Sequence, residues 1–415
     1  MRISKFTYLL ISCILMLSFW NIKPIVALLN RDIILVLTII WAGVGFVLFR
    51  NMVNLPVVFF KKYRWILILI FTGIFLSMFT SYFFRGQELM TTFVAQRFTY
   101  SFILLLSLIY VQPTTKDIIK TLQIVSYITL AAWISSIFMP SLFANISEKS
   151  ISSRNVSLSA DIGFYVDGIQ LVVLYTYFLI YKYIKHFTVK NFLTAFFWIG
   201  FVFLYQNRSM MIGIIIAFIY SLTKLKSKYK FFIIIGACFV ACVFIFYTWH
   251  IWFSLIEETT SQLNNEDYNR WKALNYYFTE YSPNIWCYIL GNGMPSVNNS
   301  EFGNLYLYNM LRGIYISDIG MIGMWVNYGI LPLIGIYCVL IRILLEKKIP
   351  LWMKFMSLHI CIVPTIFQFN NTTGILLFSL IIYVYMYYRE LPHLRLFHSY
   401  IIKKYAWYHY RKLQK

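Results

Sequence analysis

A chain of 415 residues that is 60% hydrophobic, 20% aromatic and only 12% charged has a mean hydropathy of +0.69. Soluble domains are about half apolar and a quarter charged, so this composition excludes a soluble globular enzyme, a disordered chain and a disulfide scaffold. What remains is a polytopic membrane protein, in which the net charge of +21 is first a topology signal and only then a clue to an acidic partner.

A helix needs about 20 largely apolar residues to cross a bilayer. Twelve apolar runs follow one another along the chain, at about 6–21, 33–49, 65–84, 98–112, 121–139, 168–181, 191–206, 209–223, 231–250, 317–341, 351–369 and 373–388. They predict an all-α polytopic fold of about 12 transmembrane helices in one membrane domain, 1–415. The first run follows Arg2 and Lys5 as a signal peptide would. It has no small-x-small cleavage site and further runs follow, so it reads as a retained helix.

Cytoplasmic loops carry the Lys and Arg excess. With the N-terminus inside, the inside segments hold 26 cations against three anions, Asp117, Glu346 and Glu390. The outside segments hold 10 cations and 12 anions. The charge thus splits into +23 inside and −2 outside, and both termini are expected in the cytoplasm. The basic tail, 389–415, mixes Lys and Arg with Tyr and Trp, and reads as a headgroup anchor in preference to a nucleic-acid contact. Of six cysteines, only Cys287 falls in an outside segment, so no external disulfide is available within the chain. Cys238 and Cys242 share a helix face without a His beside them, which suits packing better than metal. No Gly-x-x-x-x-Gly-Lys-[Ser/Thr] loop is present, which argues against ATP-driven transport by this chain.

The polar segments face outward. The longer is an extracytoplasmic loop at 251–316, the shorter lies at 140–167 and holds Arg154. Arg208 sits in a tight outside turn, Gln206-Asn207-Arg208-Ser209. It reads equally as a snorkelling headgroup anchor and as a functional cation on the face where Arg is disfavoured. In the long loop Arg270, Trp271 and Lys272 open an amphipathic helix, which on the bland reading lies on the bilayer. Leu290-Gly291-Asn292-Gly293-Met294-Pro295 reads as a turn. Asn309 and Arg312 follow, then Asp318 at the outer mouth of the tenth run, where it would serve as a helix N-cap. Gly320 and Gly323, three apart, permit close helix packing. Together these place arginines, carboxylates and aromatics at one outer vestibule. Arginine forks suit phosphate or pyrophosphate, and a carboxylate can act as a base. No metal-ligand spacing is visible there.

The ordered set Asn207-Arg208-Ser209, Arg270-Trp271-Lys272-Ala273-Leu274, Gly291-Asn292-Gly293 and Asp318-Ile319-Gly320-Met321-Ile322-Gly323 resembles the bacterial O-antigen polymerase (Wzy-like) and O-antigen ligase superfamily. The resemblance is specific over about 200–335 and elsewhere extends only to hydropathy and span count. It implies an all-helical membrane fold grouped with the integral-membrane GT-C-like glycosyltransferases, acting at the outer face of the bacterial inner membrane. It implies a polyprenyl-pyrophosphate-linked oligosaccharide donor and acceptor, no cofactor, no nucleic acid, and a flippase and a chain-length regulator as partners. Arg208 and Arg270 match the family's pyrophosphate-holding arginines. The ligase branch carries a His-Asn pair before its Gly-x-x-Gly helix. Here Leu307-Tyr308-Asn309-Met310 has no histidine, which favours the polymerase branch.

The expected reaction is glycosyl transfer from lipid pyrophosphate to a lipid-linked repeat unit. Arg208, Arg270 and Asp318 are the expected catalytic residues, with Glu280 and Glu301 as alternative bases. Arg312, Lys272 or Arg154 would hold the second pyrophosphate, and Trp271, Gly291, Gly293 and Asn309 would line the substrate. The rival readings are a lipid-linked oligosaccharide flippase, an O-antigen ligase, a membrane acyltransferase and a purely structural membrane protein.

Overall fold

The computed structural model describes residues 3–49, 54–143, 166–205, 208–224, 269–297, 300–364 and 371–390, with single positions at 235, 246, 260 and 367. Among these the chain is all-helical. The one extended pairing is an isolated antiparallel bridge between Ile22 and Phe143.

In chain order the helices are α1 (Lys5–Met16), α2 (Lys23–Leu28), α3 (Arg31–Phe49), α4 (Asn54–Lys62), α5 (Arg64–Arg85), α6 (Leu89–Ala95), α7 (Ile103–Val111) and α8 (Thr115–Phe138). Next come α9 (Ile169–Lys185), α10 (Val189–Leu204) and α11 (Arg208–Lys224), then α12 (Asn269–Thr279), α13 (Ile285–Leu290) and α14 (Glu301–Leu311). Finally come α15 (Met321–Tyr328), α16 (Ile330–Leu345), α17 (Leu351–Ile362) and α18, at 372–390. Local chemistry starts several of them. Ser4 caps α1, Thr188 caps α10, and Thr114 with Asp117 forms a capping box at α8.

By length and composition α3, α5 and α8 can cross a membrane, and a fourth span is added if the pair Leu89–Ala95 and Arg97–Val111, bent by 57°, counts as one. The exposed side of these helices is apolar: only 33% of the α3 window is buried, and Val36, Ile40 and Val47 point away from the protein. Water is a poor solvent for such a surface and hydrocarbon a good one. These are the helices of a membrane protein.

The count differs from the twelve runs expected. α1, α10, α16 and α17 are apolar but have 12, 16, 16 and 12 residues. At about 1.5 Å per residue that is roughly 18–24 Å, short of a hydrocarbon core of about 30 Å. The run at 231–250 lies outside the described residues. Three runs are broken or shortened by tertiary contacts. The run 6–21 stops being α-helical at Met16, and Ser18 to Asn21 take left-handed φ of 47° to 56°. Non-glycine residues resist that conformation. It is held by Trp20 Nε1 donating to Thr129 Oγ1 at 2.9 Å and by Asn21 donating to Asp167. The run 98–112 opens with a 3₁₀ turn beyond the bend at buried Gln96, whose Nε2 donates to Ser77 Oγ on α5 at 3.0 Å. The run 317–341 breaks twice, at Gly320 (φ 53°) and Gly329 (φ 77°).

The core centres on α9 and α18, both buried around most of their circumference, with α9 packed among α8, α10, α11 and α17. Trp198, Trp352, Tyr177 and Tyr383 fill it. His359 on α17 lies here, its Nδ1 bonded to the Tyr177 hydroxyl at 2.8 Å, with Gly213 leaving room for the ring.

α5 sets the long axis. Its 22 residues span about 33 Å, close to a hydrocarbon core. At its N-terminal end Tyr63 and Lys62 bond the buried Glu390 at 2.6 and 3.0 Å, and Arg389 pairs with Glu346 at 3.1 Å. At its C-terminal end stands a helical cap, with Arg85 beneath it. Two polar layers thus close the ends of an apolar bundle.

Candidate functional site

The cap is built from α12, α14 and the turn Ile316–Ile319 around a small core of its own, while α13 beside it packs on α5, α15 and α16. α12 is amphipathic as expected. It buries Ala273 and Tyr277, which pack with Tyr281, Phe302, Ile314, Ile316 and Ile319, and leaves Arg270 and Trp271 exposed. The helix does not lie free on a surface, because its apolar face is covered by the rest of the cap. Tyr276, Tyr277 and Tyr281 meet edge to face at 4.8–5.9 Å between ring centroids.

α12 packs against the Ile316–Ile319 turn, which carries Asp318. Asp318 is half-buried. Burial raises its carboxyl pKa above the ordinary carboxylate value, and the nearby Arg270 charge pulls it part of the way back. Two residues from separate motifs therefore share one electrostatic site, though no ion pair closes between them. Asp318 does not cap the following helix as expected. That N-cap is Gly320, without a side-chain bond, and Met321 N donates to Pro364 O at 2.9 Å instead. Gly320 (φ 53°) marks a break in the chain just before α15. Gly323 does permit a close approach, since a Cβ there would meet Ile316 O at 2.5 Å.

Lys272 is half-buried on the same helix. Asn309 is fully buried, and its Nδ2 donates to the Tyr276 hydroxyl at 3.0 Å while its Oδ1 has no partner. It is a cap residue bonded directly to α12 through Tyr276. Arg312, at the C-terminal end of α14, is exposed and lies 5.5 Å over the Tyr308 ring. Glu280 is exposed at the end of α12, and Glu301 is in the first turn of α14, where the helix dipole favours a carboxylate. Arg154 lies outside the described residues. Arg208 begins α11, and its side chain is outside them too.

The segment Gly291-Asn292-Gly293 does more than turn. It dips below the end of α5 to the level of Ser77 and Thr80. Asn292 N donates to Val326 O at 2.9 Å and Gly293 N to Asn327 O at 2.8 Å, while Thr80 Oγ1 donates to Gly291 O. Gly291 (φ 88°) crosses the backbone of Asn327 to Gly329 so closely that a Cβ would sit 2.4 Å from Asn327 O. Cys287 beside it is buried, which pushes its thiol up to about 11.

One site residue escaped the sequence reading. Arg85 closes α5, and its Nε and Nη2 donate to Asn292 Oδ1 at 3.2 and 2.7 Å. Nη2 also donates to Tyr281 O, and the guanidinium lies 4.6 Å from the Tyr281 ring centroid and 4.9 Å from that of Phe302. Its signal was present: it is one of the ten cations sorted to the outside. Gln87 ties the same region, donating to Thr92 and Met294 O and accepting from Ser296 N and Ser300.

No family model matches the chain, and neither curated proteins nor solved structures yield a match. Among the described residues no group of three or more His, Cys, Asp or Glu side chains comes together.

Proposed function

We propose that the chain is a polysaccharide polymerase of the bacterial inner membrane. It transfers a polyprenyl-pyrophosphate-linked glycan onto a lipid-linked repeat unit at the outer face, for O-antigen, capsule or another exopolysaccharide. On this reading it has about twelve spans and cytoplasmic termini. The observation that supports it is the shared site of Arg270 and Asp318, an exposed guanidinium beside a carboxylate of raised pKa on an aromatic cap. The described long apolar helices carry their Lys and Arg at or near their ends, where a flippase would need them at mid-depth.

The acceptor sugar hydroxyl attacks the anomeric carbon of the donor. The new glycosidic C–O bond forms as the C–O bond to pyrophosphate breaks, and the lipid pyrophosphate leaves with the electron pair. Asp318 takes the hydroxyl proton. A carboxylate whose pKa lies nearer neutrality is the stronger base for that task. Arg270 and Arg208 stabilise the charge that grows on the leaving group, a contribution of about 10²–10³ in rate per donor in comparable sites.

The test is genetic and chemical. Arg208→Ala and Arg270→Ala should each abolish long polymer while single repeat units accumulate on the outer face and membrane insertion stays intact. Full-length polymer in both variants would refute the assignment. A deletion strain with repeat units held on the inner face would identify a flippase, and intact polymer unattached to its lipid core a ligase.

A further inference from the structure

Arg85 is a charged group at the cap that the reaction above does not use. It ends a long apolar helix, where a cation is ordinarily explained by the helix dipole and by snorkelling to the headgroups. Its geometry goes further. The side chain turns inward, under the cap, between the rings of Tyr281 and Phe302. Its acceptor is held in place by other bonds. Asn292 is fully buried, and its Nδ2 donates to Ser282 Oγ and Val326 O, both at 3.0 Å. That fixes Oδ1 as the atom facing Arg85.

Two edges of the guanidinium are thereby occupied. Among the described residues Nη1 has no protein partner, and no carboxylate pairs with Arg85. The α5 C-terminus supplies roughly half an elementary charge, against a full positive charge that is half-buried. A partly desolvated charge without a counterion is costly to keep. Holding the loop would need only neutral donors. The guanidinium holds it and leaves a planar, charged edge free, which is the form that suits oxyanions.

We propose that Arg85 is the core of a preorganised oxyanion site at the outer cap, taking a phosphate-class group. It rests on the reading above only in treating the cap as the substrate face. The group comes either from a lipid-linked diphosphate or from a phospholipid headgroup, since the site lies at one end of the α5 span.

The test uses the purified full chain in detergent, with Arg85→Lys and Arg85→Gln. The probes are inorganic diphosphate, a short-chain prenyl diphosphate, and vesicles of phosphatidylglycerol against phosphatidylcholine. The wild type should bind the diphosphates. Arg85→Gln should weaken binding about 10- to 100-fold, the range of a lost charge-assisted hydrogen bond, and Arg85→Lys should stay within about tenfold of the wild type. Arg85-dependent binding of phosphatidylglycerol alone supports the site and assigns it to headgroups. Three results overturn it: no wild-type binding of any probe, Arg85→Gln binding like the wild type, or Arg85→Lys losing as much as Arg85→Gln. The last would make Arg85 a clasp for the loop and no more. Polymer length in the Arg208→Ala and Arg270→Ala strains reads the reaction separately, so unaffected polymer in both removes the polymerase reading and leaves the anion site standing.

Discussion

Gly291→Ala is the sharpest probe of how the cap is fastened to the bundle. Gly291 has φ 88° and ψ 163°, a region open to glycine almost alone. Its missing Cβ would lie 2.4 Å from Asn327 O, 2.5 Å from Gly329 N and 2.6 Å from Tyr328 C. All three are backbone atoms, so no side chain can swing aside. The conformational strain is worth about 1–3 kcal/mol, and forcing a methyl into a packed crossing costs about 1–3 kcal/mol more. The sum, roughly 2–6 kcal/mol, is a large share of the 5–15 kcal/mol that ordinarily separates folded from unfolded states. Relief requires the crossing to open, which stretches Asn292 N to Val326 O and Gly293 N to Asn327 O and frees Asn292 from Arg85. The assay is a thermal melt of the purified protein in detergent, paired with limited proteolysis of the 280–300 segment. Gly43→Ala is the control, since a Cβ there meets nothing within 4 Å in the middle of α3. It should be neutral or stabilising by up to about 1 kcal/mol. If Gly291→Ala melts with the wild type and its cap resists protease equally, the crossing does not fasten the cap.

Asp318 gives a pH prediction with a defined sign. Its folded pKa is raised, burial first and Arg270 opposing, so its ionised form costs stability at neutral pH, and that cost disappears below the ordinary carboxylate range near 4. Asp318→Asn should therefore raise the melting temperature at pH 7, with the gain shrinking as pH falls; a gain independent of pH would contradict this. Arg270→Gln should move the acidic limb of the rate profile upward, because it removes the attraction that favours the carboxylate, and a limb that moves down refutes the coupling. At the other end of α5, Glu390→Ala strands the buried Tyr63 hydroxyl and should cost about 1–3 kcal/mol. Lys62→Gln should stay within about 1 kcal/mol, because the Lys62 side chain is 51% exposed and solvent screens its pair. Thermal melts that reverse this order would refute the assignment of the stabilisation to Tyr63.

Hydropathy located helices well where an apolar run is also a straight one: 65–84 is α5, Arg64–Arg85, and 121–139 is α8, Thr115–Phe138. It failed where a run is interrupted by something apolar or small. Gly320 and Gly329 add nothing to a hydropathy profile, and a glycine in an apolar run is read as easily for close packing as for a break. What decides is φ, and at Gly329 (φ 77°) the backbone of Ile289 and Leu290 also passes within 2.4–2.8 Å of the missing Cβ, leaving no room for a side chain. The end of α1 was hidden for the same reason. Trp20 and Asn21 look helical among their neighbours, but they bond Thr129 and Asp167, more than a hundred positions away.

The site divides along the same line. Arg270 and Asp318 could be picked out as candidates because Arg270 lies in the long polar segment and Asp318 is a charge at the mouth of an apolar run; their proximity follows once α12 folds against the turn. Arg312 and Arg85 look alike in sequence, each a lone cation at the end of a helix in a segment expected outside. Arg312 has a local explanation: it is exposed, it ends α14, and it lies over Tyr308 of its own helix, four residues back. Arg85 has none that suffices, since Tyr281 and Asn292, which hold it, lie 196 and 207 positions away. A cation that the dipole and the headgroups explain should be replaceable by any cation that reaches water. One turned inward, with its acceptor fixed by other bonds, should lose far more when its charge is removed, as in Arg85→Gln, than when a second cation replaces it, as in Arg85→Lys. On the proposed reading that difference favours Arg85 over Arg312, one of three cations the sequence pattern offered for the second pyrophosphate, as an anion-holding group at the cap.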